Sequence, residues 1–231
     1  MRGFLSEKRM KTAFIIAALA LTVIQTYTTA AEHEQAQRLQ NTLSWEATRR
    51  LAFKGGLQFR FRESLQDFYY FKWEAGCVMK ATDWFELPAS FRQVKRESET
   101  GWQEMELLLI DPKIRIFSLT SWQLELRTRF QFLLDNPAGF QFVRIQPKLW
   151  YYFTNRRNKP GWFIYNDFYF PFEKAARENN SRFNMFSTGL RWPLNPHTDL
   201  DLYYMLFSMR LIRSVPWRHT HQSCLAFSFH L

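Results

Sequence analysis

This sequence predicts an all-β chain: an antiparallel transmembrane β-barrel of ten to twelve strands, preceded by a cleaved signal peptide. Three observations carry that expectation. A short apolar run near the N-terminus has the layout of a secretory signal. Apolar and polar residues then alternate with a period of two through most of the chain. Finally, 24 Phe, 9 Trp and 9 Tyr in 231 residues gather toward the ends of the alternating runs.

The signal comes first. Arg2, Lys8, Arg9 and Lys11 precede an apolar stretch from Ala13 to Ile24, and polar residues then lead to Ala30 and Ala31. The apolar stretch is well short of the roughly 20 residues that a spanning helix needs. A basic start, a short apolar middle and small residues at the end place residues 1–31 as a signal peptide, cleaved after Ala30 or Ala31. No cysteine lies beside that point, which argues against a lipoprotein. Cleavage removes four basic residues and one acid (Glu7), so the exported chain stays basic. Residues 32–41 form a polar lead-in, and a single barrel domain is expected over 42–231.

The strands follow from the alternation. Leu57, Phe59 and Phe61 alternate with Gln58, Arg60 and Arg62, and Tyr69 to Cys77 alternate with Lys72 and Glu74 among others. Leu124, Leu126, Thr128 and Phe130 oppose Glu125, Arg127 and Arg129, while Val143, Ile145, Pro147 and Leu149 oppose Arg144, Gln146 and Lys148. Side chains of a strand point alternately to its two faces, so each run has one apolar and one polar face. Strands are expected at 43–51, 57–62, 68–80, 84–94, 102–110, 113–119, 121–132, 139–153, 162–172, 181–192, 199–211 and 218–231. Turn residues separate them: Lys54-Gly55-Gly56, Asp135-Asn136-Pro137, Asn158 to Gly161 and Asn195-Pro196. The runs Lys95–Gly101 and Glu173–Asn180 read as solvated loops. Met105, Leu107 and Leu109 put odd positions outward, whereas Ile114 and Ile116 put even ones outward. The phase change at Asp111-Pro112 is then a turn, giving twelve strands, or a bulge, giving ten. The even count of bacterial barrels allows either, and twelve is preferred.

A secreted sandwich would bury the apolar faces, whereas a membrane barrel turns them to lipid and its charges to the lumen. Strands of about ten residues fit a tilted span of the hydrocarbon layer. Aromatic residues at Tyr69–Tyr70, Trp84–Phe85, Trp150–Phe153 and Trp162–Phe163 fit interfacial girdles. The chain stops within a strand whose Leu225, Phe227, Phe229 and Leu231 alternate, similar to the C-terminal signal of bacterial outer-membrane barrels. Export to the outer membrane of a Gram-negative cell follows. The partners are then the barrel-assembly machinery, outer-membrane lipid and lipopolysaccharide, with the oligomeric state open.

The order of features continues through Trp45-Glu46, Leu57–Arg62, the Tyr-rich strand running into Gly76, Arg-rich Leu124–Phe130 and Phe142–Lys148. It then passes Asp167, Arg182 with Gly189, and Asp199–Tyr204, to a His-containing last strand. In this the chain resembles the uncharacterised outer-membrane β-barrel family called domain of unknown function 2490, over essentially the mature chain. It departs at Leu231, where members usually finish on an aromatic. The resemblance implies an outer-membrane barrel and supplies no activity.

The distinctive chemistry is inward charge. Arg60, Arg62, Lys72, Glu74, Glu86, Arg92, Glu125, Arg127, Arg129, Arg144, Lys148 and Asp167 are the expected lumen lining, eight basic and four acidic. Mutually satisfied ion pairs would make a structural or scaffold barrel with a largely filled lumen, the leading expectation. The alternative is a porin-like, weakly anion-favouring channel for small solutes. A remoter one is a lipid-modifying enzyme using His221 and Ser223 on one strand face as base and nucleophile. No acid follows them to complete a triad, so no enzyme is expected. Basic residues are dealt one or two per strand, which argues against nucleic acid. His219, His221 and Cys224 point to opposite faces, so neither a metal nor another cofactor is expected. Cys77 and Cys224 likewise face opposite sides, which argues against a disulfide.

Overall fold

The computed structural model describes residues 34–62, 67–134, 140–154, 160–171, 182–210 and 217–231. The signal-peptide assignment at 1–31, the loop 173–180 and the turn at 135–137 lie outside them. All regular structure among the described residues is strand: β1 (Glu34–Glu46), β2 (Leu51–Arg62), β3 (Asp67–Lys80), β4 (Phe85–Ser98), β5 (Gly101–Ile110), β6 (Lys113–Ser118), β7 (Trp122–Leu133), β8 (Phe140–Tyr152), β9 (Gly161–Pro171), β10 (Arg182–Asn195), β11 (Thr198–Arg210) and β12 (Arg218–His230).

Strands pair with their sequence neighbours except β5 and β6, which both lie between β4 and β7, and the sheet closes through a β1–β12 seam. The phase change expected at Asp111-Pro112, as a turn or a bulge, is absent. Ala89 faces Ile110 and Glu86 faces Lys113 across one uninterrupted register, and β7 keeps the same continuity, with Ile110 opposite Phe130 and Lys113 opposite Arg127. The Asp111 amide donates to the Pro88 carbonyl at 2.9 Å, and the Thr128 amide donates to the Pro112 carbonyl at 2.8 Å. Proline lacks an N–H, so Pro112 interrupts the ladder without ending the strand's course. β6 therefore extends β5 in the same place between β4 and β7. The result is a closed eleven-strand barrel with β6 as an additional strand segment, an odd ring where an even one was expected.

An odd ring cannot alternate all the way round. Among the described strands β1 and β12 pair parallel, Glu34 opposite Thr220 through Ser44 opposite His230, while every other pair is antiparallel. The polar stretch expected as a lead-in at 32–41 enters β1 from Glu34 onward. The strand expected at 43–51 is divided between β1 and β2. Arg38 and Gln40 explain why: their side chains, with Ala36 and Thr42, belong to the inner face, and Leu39 and Leu43 are exposed outside. A strand with a charged inner face and a sparse apolar outer one carries a weak hydrophobic signal.

Odd positions point inward along β5 and into β6 as far as Arg115, beyond which a register shift turns Phe117 outward, opposite Leu124. Met105, Leu107 and Leu109 thus face the interior, not outward as their apolar character suggested. There Val94, Leu107 and Leu109 pack together with Tyr70 and Leu133 against them. Some expected girdle aromatics also turn inward: Trp150, Tyr152 and Phe163 form a buried cluster with Tyr165 and Tyr203 packed on it. The outer aromatics still band both ends. Trp45 stacks on Phe53 at 5.6 Å and Trp122 lies 4.6 Å from Tyr151 at one end, while Phe68 lies 5.5 Å from Trp102 at the other.

Gly76 and Gly189 let the inner wall close. A Cβ at Gly189 would stand 2.2 Å from the Tyr203 Cβ and 2.4 Å from the Leu202 carbonyl oxygen, directly opposite in register. Overpacking of this kind costs about 1–3 kcal/mol. Gly189→Ala is therefore expected to lower the urea midpoint of the refolded barrel. An unchanged midpoint would show that β10 and β11 are further apart than this.

Candidate functional site

The interior holds a cavity of about 630 Å3 lined mainly by polar and charged side chains. Eleven of the twelve residues expected to line the lumen lie on inner-face positions along its wall or directly behind it. The twelfth, Arg62, sits at one end, between Asp67 at 3.4 Å and Glu97 at 3.3 Å.

The acids organise the wall. Asp111, 2% exposed, accepts two hydrogen bonds from Arg129, Nε to Oδ1 at 2.6 Å and Nη2 to Oδ2 at 2.7 Å, and a further one from Arg127. Asp167, fully buried, takes the same bidentate grip from Arg144 at 2.6 and 2.7 Å. Glu74 accepts from Arg92 at 3.0 and 2.5 Å and from the Ser90 hydroxyl at 2.8 Å, with Lys72 at 3.8 Å. Lys113 stands between Glu125 at 3.1 Å and Glu86 at 3.5 Å. Arg191 and Asp201, directly opposite in register, form another bidentate pair at 2.7 and 2.6 Å. Planar forks of this type are the strong form of charge-assisted hydrogen bond.

Each of these inner-wall pairs joins residues on one strand or on strands that are neighbours in the ring; none reaches across the lumen. They brace the wall beside the cavity. Lys148 has no acid within ion-pair distance among the described residues. Its ammonium instead lies over Trp150 at 4.0 Å, Phe163 at 4.4 Å and Tyr165 at 5.2 Å, a cation held by ring faces.

Sequence reasoning missed several wall residues. Asp111, expected at a turn or a bulge, follows the inward odd positions of β5. Lys113 and Arg191 were missed with it, and Arg38 fell in the supposed lead-in. Lys54 was read as turn chemistry but stands exposed to the lumen in β2. Counting them, the cations of the lining outnumber its acids.

On β12, His221 and Ser223 sit on the outer face, alternate with buried Gln222 and Cys224. The His221 Nδ1 shares a hydrogen bond with the Tyr204 hydroxyl on β11, and His219 Nδ1 lies 2.9 Å from the Ser208 hydroxyl. Cys77 and Cys224 are free thiols. Among the described residues no three His, Cys, Asp or Glu side chains converge as metal ligands.

Residues 37–210 match the family described as "Protein of unknown function (DUF2490)". The chain belongs to the DUF2490 family. No curated protein matches this DUF2490 chain in sequence. Among solved structures it is similar to one titled "NanC porin structure in rhombohedral crystal form", at 8% identity. That likeness covers 73% of this chain and 86% of that one, with a TM-score of 0.45. The DUF2490 match spans β1 to β11, so the braced wall around Asp111 and Asp167 lies within the family's extent.

Proposed function

We propose that this chain is an outer-membrane barrel that passes small anions through a water-filled lumen. The single observation that supports it is the direction of the ion pairs. A plug needs charges that meet across the interior, and here the acids are spent along the wall, leaving surplus cations beside the cavity. A low-dielectric wall focuses that positive field along the axis. The sequence-based preference for a filled scaffold retains one supporting observation, the aromatic cluster of Trp150, Phe163 and Tyr203, which narrows one side of the interior. In either reading the partners are outer-membrane lipid, lipopolysaccharide and the assembly machinery, and no enzymatic step is assigned.

Planar-bilayer recording of the refolded protein under a potassium chloride gradient is the test. Unit conductance with a reversal potential on the anion side is the expected result. The preference should weaken with salt, because the Debye length falls from about 10 Å at 0.1 M to about 3 Å at 1 M. Arg127 and Arg129 both hold Asp111, so reversing them would test the fold instead of the pore. Lys54, exposed and without a carboxylate partner among the described residues, is the better probe. Lys54→Glu should move the reversal potential toward cations with the unfolding midpoint unchanged. A silent membrane with correctly folded protein would leave the scaffold.

A further inference from the structure

Arg38 on β1 and Arg60 on β2 are directly opposite in register, both on the inner face. Directly opposed residues of adjacent antiparallel strands have Cβ atoms about 4.5–5.5 Å apart, and like charges there repel. The barrel contains a second such pair, Arg129 opposite Arg144, and shows how it is tolerated: each guanidinium is gripped by its own buried carboxylate, Asp111 and Asp167. Arg38 and Arg60 have no carboxylate among the described residues. Arg60 lies over the Tyr70 ring at 4.1 Å, and Arg38 reaches Gln40 and the Met205 sulfur at 4.0 Å. The Nε of both arginines is buried without a hydrogen-bond partner.

A further side chain points to the same vacancy of acceptors. Gln58 is two residues from Arg60 on the same face, is 1% exposed, and its Nε2 also has no partner. Buried donors are ordinarily paired, and leaving one unpaired costs about 1–3 kcal/mol. Two opposed guanidinium forks and an unpaired amide donor on adjacent strands, all bordering the cavity, call for oxygen acceptors with negative charge.

We infer that Arg38, Arg60 and Gln58 form a binding site for a small oxyanion, a carboxylate or phosphate group of a solute in the lumen. The inference rests on the reading of a solvent-filled interior and deepens it by naming where an anion would pause. The bound oxyanion takes the place that Asp111 and Asp167 occupy for the other arginine pair. The two forks offer a planar acceptor more than a spherical halide can use.

The test is ligand-dependent unfolding and calorimetry of the refolded barrel in zwitterionic detergent, at constant ionic strength. Succinate, inorganic phosphate and chloride serve as probes. Succinate or phosphate should raise the unfolding temperature saturably where chloride does not, and whichever acts identifies carboxylate or phosphate as the source. The doubly substituted R38Q/R60Q barrel should bind at least about tenfold more weakly, since charge-assisted hydrogen bonds are lost. Its ligand-free form should unfold no lower than the wild type, because the repulsion is gone. The R38K/R60K barrel keeps the charge and loses the fork, and it too should bind more weakly. Arg96→Gln, a lining cation that donates to Gln103 at 3.4 Å, should bind as the wild type does. Equal responses to all three anions, or saturable binding that survives in R38Q/R60Q, would overturn the site. Binding without conductance would retain the site and remove the channel; conductance without saturable binding would do the reverse.

Discussion

Asp111→Asn is expected to destabilise the barrel by about 3–5 kcal/mol, the usual cost of removing one partner from a buried ion pair. Arg127 and Arg129 both donate to that carboxylate, and Arg129 stands directly opposite Arg144. Without the negative charge three guanidinium groups share one stretch of wall with Asp167 and Glu74 as nearby acids. Urea unfolding of the refolded protein should show the loss as a lower midpoint with an unchanged slope. Restoring neutrality with Arg127→Gln in the same chain should recover part of it, and this distinguishes charge from shape. A midpoint equal to that of the wild type would mean the carboxylate is not buried between these arginines.

Leu126→Arg carries the second large effect. Leu126 points outward in the middle of β7, opposite Pro147 on β8 and Ile114 on β6, with buried Glu125 on the other face of the same strand. In a bilayer that places the new charge in hydrocarbon, at about 2–4 kcal/mol near the midplane. Leu126→Phe should be neutral. Refolding into phospholipid vesicles, followed by the shift in gel mobility on boiling, reads the difference. Insertion of the Arg variant as efficient as that of the wild type would place Leu126 away from lipid and overturn the facing assigned to β7.

What could be read from the sequence depended on how unequal the two faces of a strand are. β7 and β8 set leucine, valine and isoleucine against arginine, glutamate and lysine, so both their existence and their facing were legible. β5 ends in Leu107-Leu108-Leu109-Ile110, apolar on both faces, and no parity argument can orient such a run. Only the register shared with β6, where Lys113 must face inward to reach Glu86 and Glu125, orients it. Asp111 was lost with that mistake, because an Asp-Pro pair resembles a turn and here continues a strand. β1 failed in the opposite way: Gln35, Gln37, Gln40 and Asn41 leave few apolar positions, and partners 167 to 186 residues away in β12 and β11 are invisible to local pattern. The lumen charges were legible as a class. Their division into braced pairs and the unbraced Arg38–Arg60 pair was not, since it depends on which strands become neighbours.

The parallel seam gives the molecule a sidedness that an even ring lacks. β1 and β12 run in the same direction, so the chain enters its first strand at one mouth and leaves its last at the other. Glu34 and Leu231 therefore belong to opposite faces of whatever layer the barrel crosses. Labels placed at the two ends would report on different compartments in either orientation, whereas in a barrel of ten or twelve antiparallel strands they would share one.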